Sequence, residues 1–484
     1  MMNTPPLLST VLKLSAIALI SAATLSASPE KSWKRGVSAN TLNSAQVANF
    51  EPGISWIYNW GKSPNNLDLN GEIEFIPMVW GDNAGTLASV LSYLEGGATP
   101  SAIFFLNEPN YITPLGSFVT PERSAAWLSE VKTTLSAFNI PIIGPHMALG
   151  GPTEDSITAF DPIQQQMVTY TTAQSFLDAY DFYVGNNGAD ALSLHSYSNN
   201  EIQFWVDTMF ERTGEPVWVT EFAFAAASEL GEMREYIVKT LDFLEHSPKV
   251  ARYAWFKGDW YPQNSLFSLL NSRSDTLSPT GELYLNYPTY DPDYYYAVPS
   301  QIPAEDYITR DNMSIEIADT VEGMGALNAP TRGASSATYQ VDVPSADTYK
   351  IKVHTIGAQT VHAFIETNLT IGLLGGTQIA AISSTLLGET RDVDFDLDLP
   401  AGEQTLELQS SGTGVKIDWL EISTGATWAG FPISDGNFGD TGDFIGWLSI
   451  LFAPWVYSFD FNTFVYLPES AVKQNGAWMY LIRQ

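Results

Sequence analysis

The sequence predicts an α/β TIM barrel of eight strand-helix units, followed by an all-β sandwich and a small β-rich C-terminal module. Three observations predict it. Between residues 33 and 288, short apolar runs rich in β-branched and aromatic residues alternate with stretches of helical character, the pattern of a parallel sheet wrapped in helices. Several of these runs begin apolar and end polar or aromatic, as in Leu106-Asn107-Glu108, Leu194-His195-Ser196-Tyr197 and Val219-Thr220-Glu221. In such barrels the C-terminal strand ends face the active site, so polar groups there are expected to be chemical. From Ile302 onward the helical pattern gives way to short alternating strands.

Taken in order, the N-terminus comes first. Lys13 precedes the apolar run Leu14 to Leu25, and Ser26-Ala27-Ser28 supplies small residues for cleavage, so residues 1–27 read as a signal peptide. The expected location is therefore outside the cytoplasm: secreted, extracellular, periplasmic or at the cell surface. The run is shorter than the roughly 20 residues that span a bilayer, so membrane insertion is not expected. The expected barrel strands are Lys34–Ser38, Ile54–Trp60, Glu74–Gly81, Ala102–Asn110, Ile140–His146, Ala189–Tyr197, Pro216–Phe222 and Arg252–Gly258. Helices are expected over Pro121–Phe138, Met167–Tyr180, Glu201–Thr213 and Glu229–Ser247. Residues 289–300, rich in Tyr, Pro and Asp, read as a linker or strap. The segment 301–424 alternates like a sandwich, and 427–484, rich in Gly and aromatics, reads as a β-meander.

Composition narrows the partners. The 484 residues carry 54 acidic and 22 basic side chains, a formal charge of -32, which repels nucleic acid and anionic membranes and suits a neutral partner. Because only 16% of residues are charged while 13% are aromatic, the acidity reflects scarce Lys and Arg in a globular chain. Cysteine is absent, which excludes disulfides, thiolate metal sites and a cysteine nucleophile. The five histidines are scattered and form no H-E-x-x-H run, so no cofactor or catalytic metal is implied. Gly61-Lys62-Ser63 looks like the end of a phosphate-binding loop, but Trp56 stands where the upstream glycine is required.

The strongest chemical signal is a pair of carboxylates. Glycosidic bonds are broken by two carboxyl groups, one protonating the leaving oxygen and the other acting as nucleophile or base. Glu108 ends the fourth expected strand and Glu221 the seventh. The blander readings are a helix-start acid beside Pro109 and an ordinary surface acid.

These residues resemble the large clan of retaining glycosidases with TIM barrels. More narrowly, KRGVS, YNW, FIPMVWG, NEPN, the His-Ser-Tyr end of strand six, PVWVTEF and RYAWF, in that order, resemble glycoside hydrolase family 128. The resemblance implies a β-1,3-glucanase with Glu108 as acid/base, Glu221 as nucleophile and Asn107 orienting the sugar. His195 and Tyr197 end strand six, on the expected active-site rim, where the resemblance implies a Tyr bonded to the nucleophile; both are expected to bind substrate, the blander readings being a satisfied core histidine and a packed tyrosine. Trp60, Trp80 and Trp255 end strands two, three and eight, where indole faces could stack on sugar or simply pack the barrel. Agarose-type, xylan or mannan chains stay open as substrates, as does a non-catalytic carbohydrate-binding role.

In the next module IPAEDY, VDVPSADTYKIKV, LPAGEQTLELQ and KIDWLEI resemble carbohydrate-binding module family 6, which implies a structural calcium ion held by Glu305 and Asp418. Ser335-Ser336-Ala337 and Ile379–Leu387 stand where that family carries aromatics, so the resemblance implies the fold rather than sugar binding.

Overall fold

Nine strands form a single parallel sheet that curls back on itself. In the computed structural model these are β1 (Arg35–Ser38), β2 (Trp56–Tyr58), β3 (Glu74–Phe75), β4 (Met78–Val79), β5 (Ile103–Phe105), β6 (Ile142–Ala148), β9 (Ala191–Ser196), β10 (Val217–Phe222) and β11 (Val250–Phe256). A hairpin, β7 (Thr158–Asp161) and β8 (Gln166–Thr169), is inserted after β6. The structure describes residues 32–481 apart from 66, 70, 113–115, 150–155, 273, 319–323, 331–332, 358–363, 387, 413, 425–426, 430, 435–437, 442–444 and 473–478. The expected signal peptide lies outside the described residues.

The sheet order is β3-β2-β1-β11-β10-β9-β6-β5-β4. Its two ends, β3 and β4, are halves of one extended segment separated only by Ile76 and Pro77. The first half pairs with β2 and the second with β5, which gives a barrel-like α/β fold. Pro77 has no N–H to offer a ladder, and the change of partner falls there. Inside the curl, Trp56, Tyr58, Met78, Phe104 and Trp218 form a core of their own, Trp56 meeting Trp218 edge-on with ring centroids 5.5 Å apart. Gly36 makes room for it, since a Cβ there would lie 2.4 Å from the Trp56 ring.

Helices α1 (Ser44–Ala48), α2 (Ala84–Glu95), α3 (Pro121–Leu135), α4 (Ala173–Val184), α5 (Ile202–Thr213), α6 (Leu230–His246) and α7 (Pro279–Asn286) follow the strands. Their starts are locally encoded: Thr120 accepts from the Arg123 N–H with Pro121 at the first position of α3, and Thr172 caps α4 through Ser175 N–H. That second cap corrects the helix expected over Met167–Tyr180. Met167 lies in β8, opposite Phe160, and the helix begins only at Ala173.

At the barrel's N-terminal end Arg35 is buried, 2.7 Å from Glu245, and donates also to the Tyr284, Leu285 and Pro288 carbonyls and to Tyr253. Arg35 is thus a structural cation.

Beyond the barrel, the stretch expected as a linker is already structured. Tyr296–Ala297 pairs with Val341 and Asp342, and Ser300–Pro303 pairs with Trp419–Ile422. Two six-stranded sheets follow. Ser335–Val343, Gly402–Gly412 and Phe364–Leu373 belong to one, and Asp347–Ile356, Thr390–Leu399 and Val415–Thr424 to the other. Tyr339, Val341 and Leu408 of the first share one core with Ile351, Val353 and Leu420 of the second. This β-rich region is joined to α6: Tyr307 donates its hydroxyl to Asp242 (2.7 Å), and Arg310 Nη2 lies 2.7 Å from the same carboxylate.

The last strands form a seven-stranded antiparallel sheet over Trp428, Leu448, Val456, Val465 and Leu467. It leaves Trp447, Trp455 and Phe464 partly exposed.

Glu305 and Asp418 are both buried. Glu305 Oε1 accepts from the Met324 and Gly325 N–H groups, each at 2.9 Å, while Oε2 is buried with no hydrogen-bond donor. Burial, reinforced by the Asp418 charge, pushes the Glu305 carboxyl up to about 8. Two buried carboxylates, one with an undonated oxygen, fit a hard cation.

Candidate active site

At the C-terminal ends of the strands a cleft of about 790 Å³ is lined by Trp60, Trp80, Asn107, Glu108, His195, Tyr197 and Glu221. Glu221 reaches it through a break in strand period. Trp218 pairs with Ser193 and Val219 with Leu194, but the next partner of β9, His195, faces Glu221, so Thr220 is an extra, unpaired residue. A bulge of this kind turns two successive side chains to one face. Thr220 points into the polar network under the cleft and Glu221 into the cleft, while Val219 and Phe222 pack among the helices.

Glu108 arrives by a different device. Leu106 and Glu108 have φ of 57° and 44°, and Trp60 has 58°. Side-chain-bearing residues rarely adopt this left-handed region, at a cost of about 1–3 kcal/mol each, and such strain gathers at functional sites.

His195 stands between the two acids. Its Nδ1 is 2.8 Å from Glu108 Oε1 and 3.4 Å from Glu221 Oε1. One donor atom from each of the three residues lies within 4.8 Å of the others. The imidazole nitrogen that a cation would need is engaged by Glu108.

The two carboxylates have unlike surroundings. Glu221 receives Trp60 Nε1–H at 2.7 Å and Tyr58 O–H at 3.1 Å on Oε1, and the Tyr197 hydroxyl on Oε2. Glu108 has its pKa raised, chiefly by burial and further by the Glu221 charge, against the opposing effect of His195. Burial would lower His195, but the Glu221 and Glu108 charges outweigh it and raise the ring's pKa. Burial and the same two charges hold the Tyr58 and Tyr197 phenols well above their usual range, so both remain donors. Glu108, with its proton affinity raised, thus stands beside a Glu221 that faces three donors, an asymmetry of the kind an acid and a nucleophile need.

Of the residues singled out from sequence, Asn107, Glu108, His195, Tyr197, Glu221, Trp60 and Trp80 are brought together here. Trp60 contributes an N–H to Glu221 besides a ring face. Trp255 does not join them. It is fully buried between sheet and helices, donating its indole N–H to the Phe267 carbonyl and packing edge-on against Phe222. Strand alternation puts its neighbour Phe256 in the cleft instead. Sequence reasoning missed Tyr58, although YNW contained it, and His146 and Thr220, whose roles depend on partners from other strands. Lys257 lines the cleft with its Nζ 3.2 Å from Asp259.

The family model described as glycosyl hydrolase catalytic core matches residues 36–284. No curated protein sequence matches the chain. Among solved structures the chain is similar to a glycoside hydrolase family 128 (subgroup II) endo-β-1,3-glucanase from Pseudomonas viridiflava. The identity is 26%, over 54% of this chain and 99% of that one, with a TM-score of 0.46. A subgroup II endo-β-1,3-glucanase from Sorangium cellulosum is 25% identical over 53% of this chain and 100% of its own, with a TM-score of 0.46. A subgroup I enzyme from Amycolatopsis mediterranei, in complex with laminaritriose, is 21% identical over 52% and 98%, with a TM-score of 0.40.

Proposed function

Because this chain belongs to the glycosyl hydrolase catalytic core family, we propose that it is a secreted, retaining, endo-acting hydrolase of a neutral β-glucan, β-1,3-linked, with Glu108 as acid/base and Glu221 as nucleophile. That the chain is a glycoside hydrolase follows from the family. The single observation that carries the mechanism is the separation of the acids, whose nearest oxygens lie within 4.8 Å. Retaining enzymes hold their carboxyl groups about 5–5.5 Å apart, whereas inverting enzymes need roughly 6.5–9.5 Å to admit a water.

In this reading Glu221 attacks the anomeric carbon as Glu108 gives its proton to the departing glycosidic oxygen. Glu108, now a carboxylate, then takes a proton from the water that displaces Glu221. His195, whose Nδ1 faces both acids, is placed to stabilise the charge that passes between them. Asn107 at the cleft wall would orient the sugar ring, and Trp80 and Phe256 offer it apolar faces. The β-1,3 linkage is supported by the ordered motifs from KRGVS to RYAWF, and export by the apolar run after Lys13. Counting the split segment β3–β4 as one strand supports the barrel of eight strand-helix units expected from the alternation of strands and helices. We further assign a structural calcium ion to Glu305 and Asp418 in a β-sandwich of the carbohydrate-binding type, supported by the undonated Glu305 Oε2.

Incubation with a soluble laminarin-type glucan, with sizing of the products, tests the reading. The wild type should release oligosaccharides, and Glu221→Gln and Glu108→Gln should lower the rate by about a thousandfold or more. Equal activity in the variants would remove the assigned roles, and activity on xylan or mannan alone would move the substrate.

A further inference from the structure

Under the cleft lies a small polar network that touches the assigned chemistry only through His195. Thr220 Oγ1 has three partners: His146 Nδ1 at 2.7 Å, Ser193 Oγ at 2.8 Å and His195 Nε2 at 3.1 Å. All four residues are essentially excluded from solvent. No bulk water is at hand to repair a mismatch, so the donors and acceptors have to be counted.

A hydroxyl gives one proton and accepts on two lone pairs. His146 is neutral, its pKa lowered well below the ordinary value by burial and by the neighbouring His195. Its Nε2 is buried without a hydrogen bond of good geometry, although the Ile143 carbonyl also faces the ring, and placing the ring's single proton on Nδ1 gives it to Thr220 at 2.7 Å. With Ser193 also donating, the Thr220 acceptors are filled and its own proton goes to His195 Nε2. That nitrogen is then unprotonated, and the imidazole proton must sit on Nδ1, facing Glu108 and Glu221. A second arrangement is equally saturated: His195 gives an Nε2–H to Thr220, which turns its proton to Ser193, while Nδ1 keeps a proton of its own or accepts that of Glu108.

We propose that Thr220 is a positioning residue, the bulged hydroxyl that holds His195 with Nδ1–H aimed at the two acids and, by reversing its bond with Ser193, lets the ring take or release a second proton. The inference rests on Glu108 and Glu221 being the catalytic pair. It gives the strand bulge a second purpose: the extra residue that turns Glu221 inward also supplies the hydroxyl. The titratable groups facing His195 are Glu108 from the segment after β5, Glu221 from β10 and His146 from β6, while Tyr58 from β2 and Tyr197 after β9 face the two glutamates. Of these, only the two glutamates can draw a proton toward Nδ1.

The test compares wild type with Thr220→Val, Thr220→Ser and Ser193→Ala in two measurements. The first is the pH dependence of kcat and kcat/KM on soluble β-1,3-glucan. Thr220→Val should move a limb of the profile by about half a pH unit or more and lower kcat about tenfold with little change in KM, while Thr220→Ser should restore both. The second is the ¹⁵N spectrum of the histidine rings, in which neutral His195 should be the Nδ1–H tautomer in wild type and Thr220→Ser and lose that preference in Thr220→Val. Ser193→Ala should retain the tautomer and lower the pKa of the ring. Unmoved limbs with an unchanged tautomer in Thr220→Val would overturn the proposal, as would loss of stability alone. If the wild type fails to hydrolyse the glucan, the assigned function falls separately, and the ring spectrum still decides the role of Thr220.

Discussion

Trp60 donates its indole N–H to Glu221 Oε1 across 2.7 Å, so a residue marked in the sequence as a sugar-stacking platform is also a direct partner of the assigned nucleophile. The left-handed backbone at Trp60 helps to place that N–H. A hydrogen bond to a charged group contributes about 1.5–3 kcal/mol. Trp60→Phe keeps an aromatic face and removes the donor, and should lower kcat by roughly ten- to a hundredfold, with a smaller change in KM. Steady-state kinetics on a soluble glucan would separate the two contributions. A rise in KM alone would mean that the indole acts only as a platform.

Glu108 links activity to stability. Its folded-state pKa is raised, chiefly by burial, so the protonated form is the one the fold prefers. A carboxyl raised in this way supports the fold fully below its unfolded pKa, and the support is lost as pH rises through the folded value. Glu108→Gln, which cannot ionise, should therefore gain thermal stability relative to wild type as pH increases, with the difference smallest in acid. Melting curves of both proteins between pH 4 and 8 would show this. In the same window the wild type should lose activity as Glu108 gives up the proton it needs for the leaving oxygen.

The acids were legible because each closes an apolar run, and the ends of such runs gather at one rim of the barrel. What sits beneath them was not. Thr220 falls between Val219 and Glu221, and strict alternation would have sent Glu221 toward the helices; only the skipped pairing opposite His195 turns it inward. Bulges leave no reliable mark in a single sequence. His146 and Tyr58 matter through partners on β10, which barrel closure alone brings near. Trp255 failed for the opposite reason: alternation was readable but its phase was not, and Phe256 took the position in the cleft. Met167 falls in a stretch, Met167-Val168-Thr169-Tyr170, that has no Gly or Pro to break it and so fits a hairpin strand and a helix start alike, and Thr172 decides the boundary.

The Glu305 and Asp418 pair makes a prediction about metal removal. Two buried carboxylates destabilise the fold when both are charged, and the calcium ion proposed between them would offset that repulsion. Chelation should lower the melting temperature, and calcium at a hundredfold excess over its dissociation constant should return about 2.7 kcal/mol. In Glu305→Gln the response to calcium should vanish, while hydrolysis in the barrel continues. Differential scanning calorimetry with and without chelator would measure it, and an identical melting curve in both conditions would remove the ion.

Arg35 and Glu245 allow stability to be changed without touching the chemistry. They meet at 2.7 Å with side chains 1% and 2% exposed, at the end of the barrel opposite the cleft. Arg35 also satisfies three backbone carbonyls, so its charge is committed to the N-terminal end of the sheet. Removing one partner of a buried pair leaves the other charge unpaired in a medium that cannot solvate it, at a cost of about 3–5 kcal/mol. Glu245→Ala should lose stability on that scale, because the Arg35 guanidinium cannot shed its proton. Replacing both residues by apolar side chains of similar volume should cost much less, since no unpaired charge remains. In each variant the protein that stays folded should keep the wild-type kcat, because no part of this pair reaches Glu108, His195 or Glu221. Urea unfolding of the single and double variants, with kcat measured well below the midpoint, tests both halves. A double variant as unstable as Glu245→Ala would show that the pair contributes through its geometry rather than through charge balance.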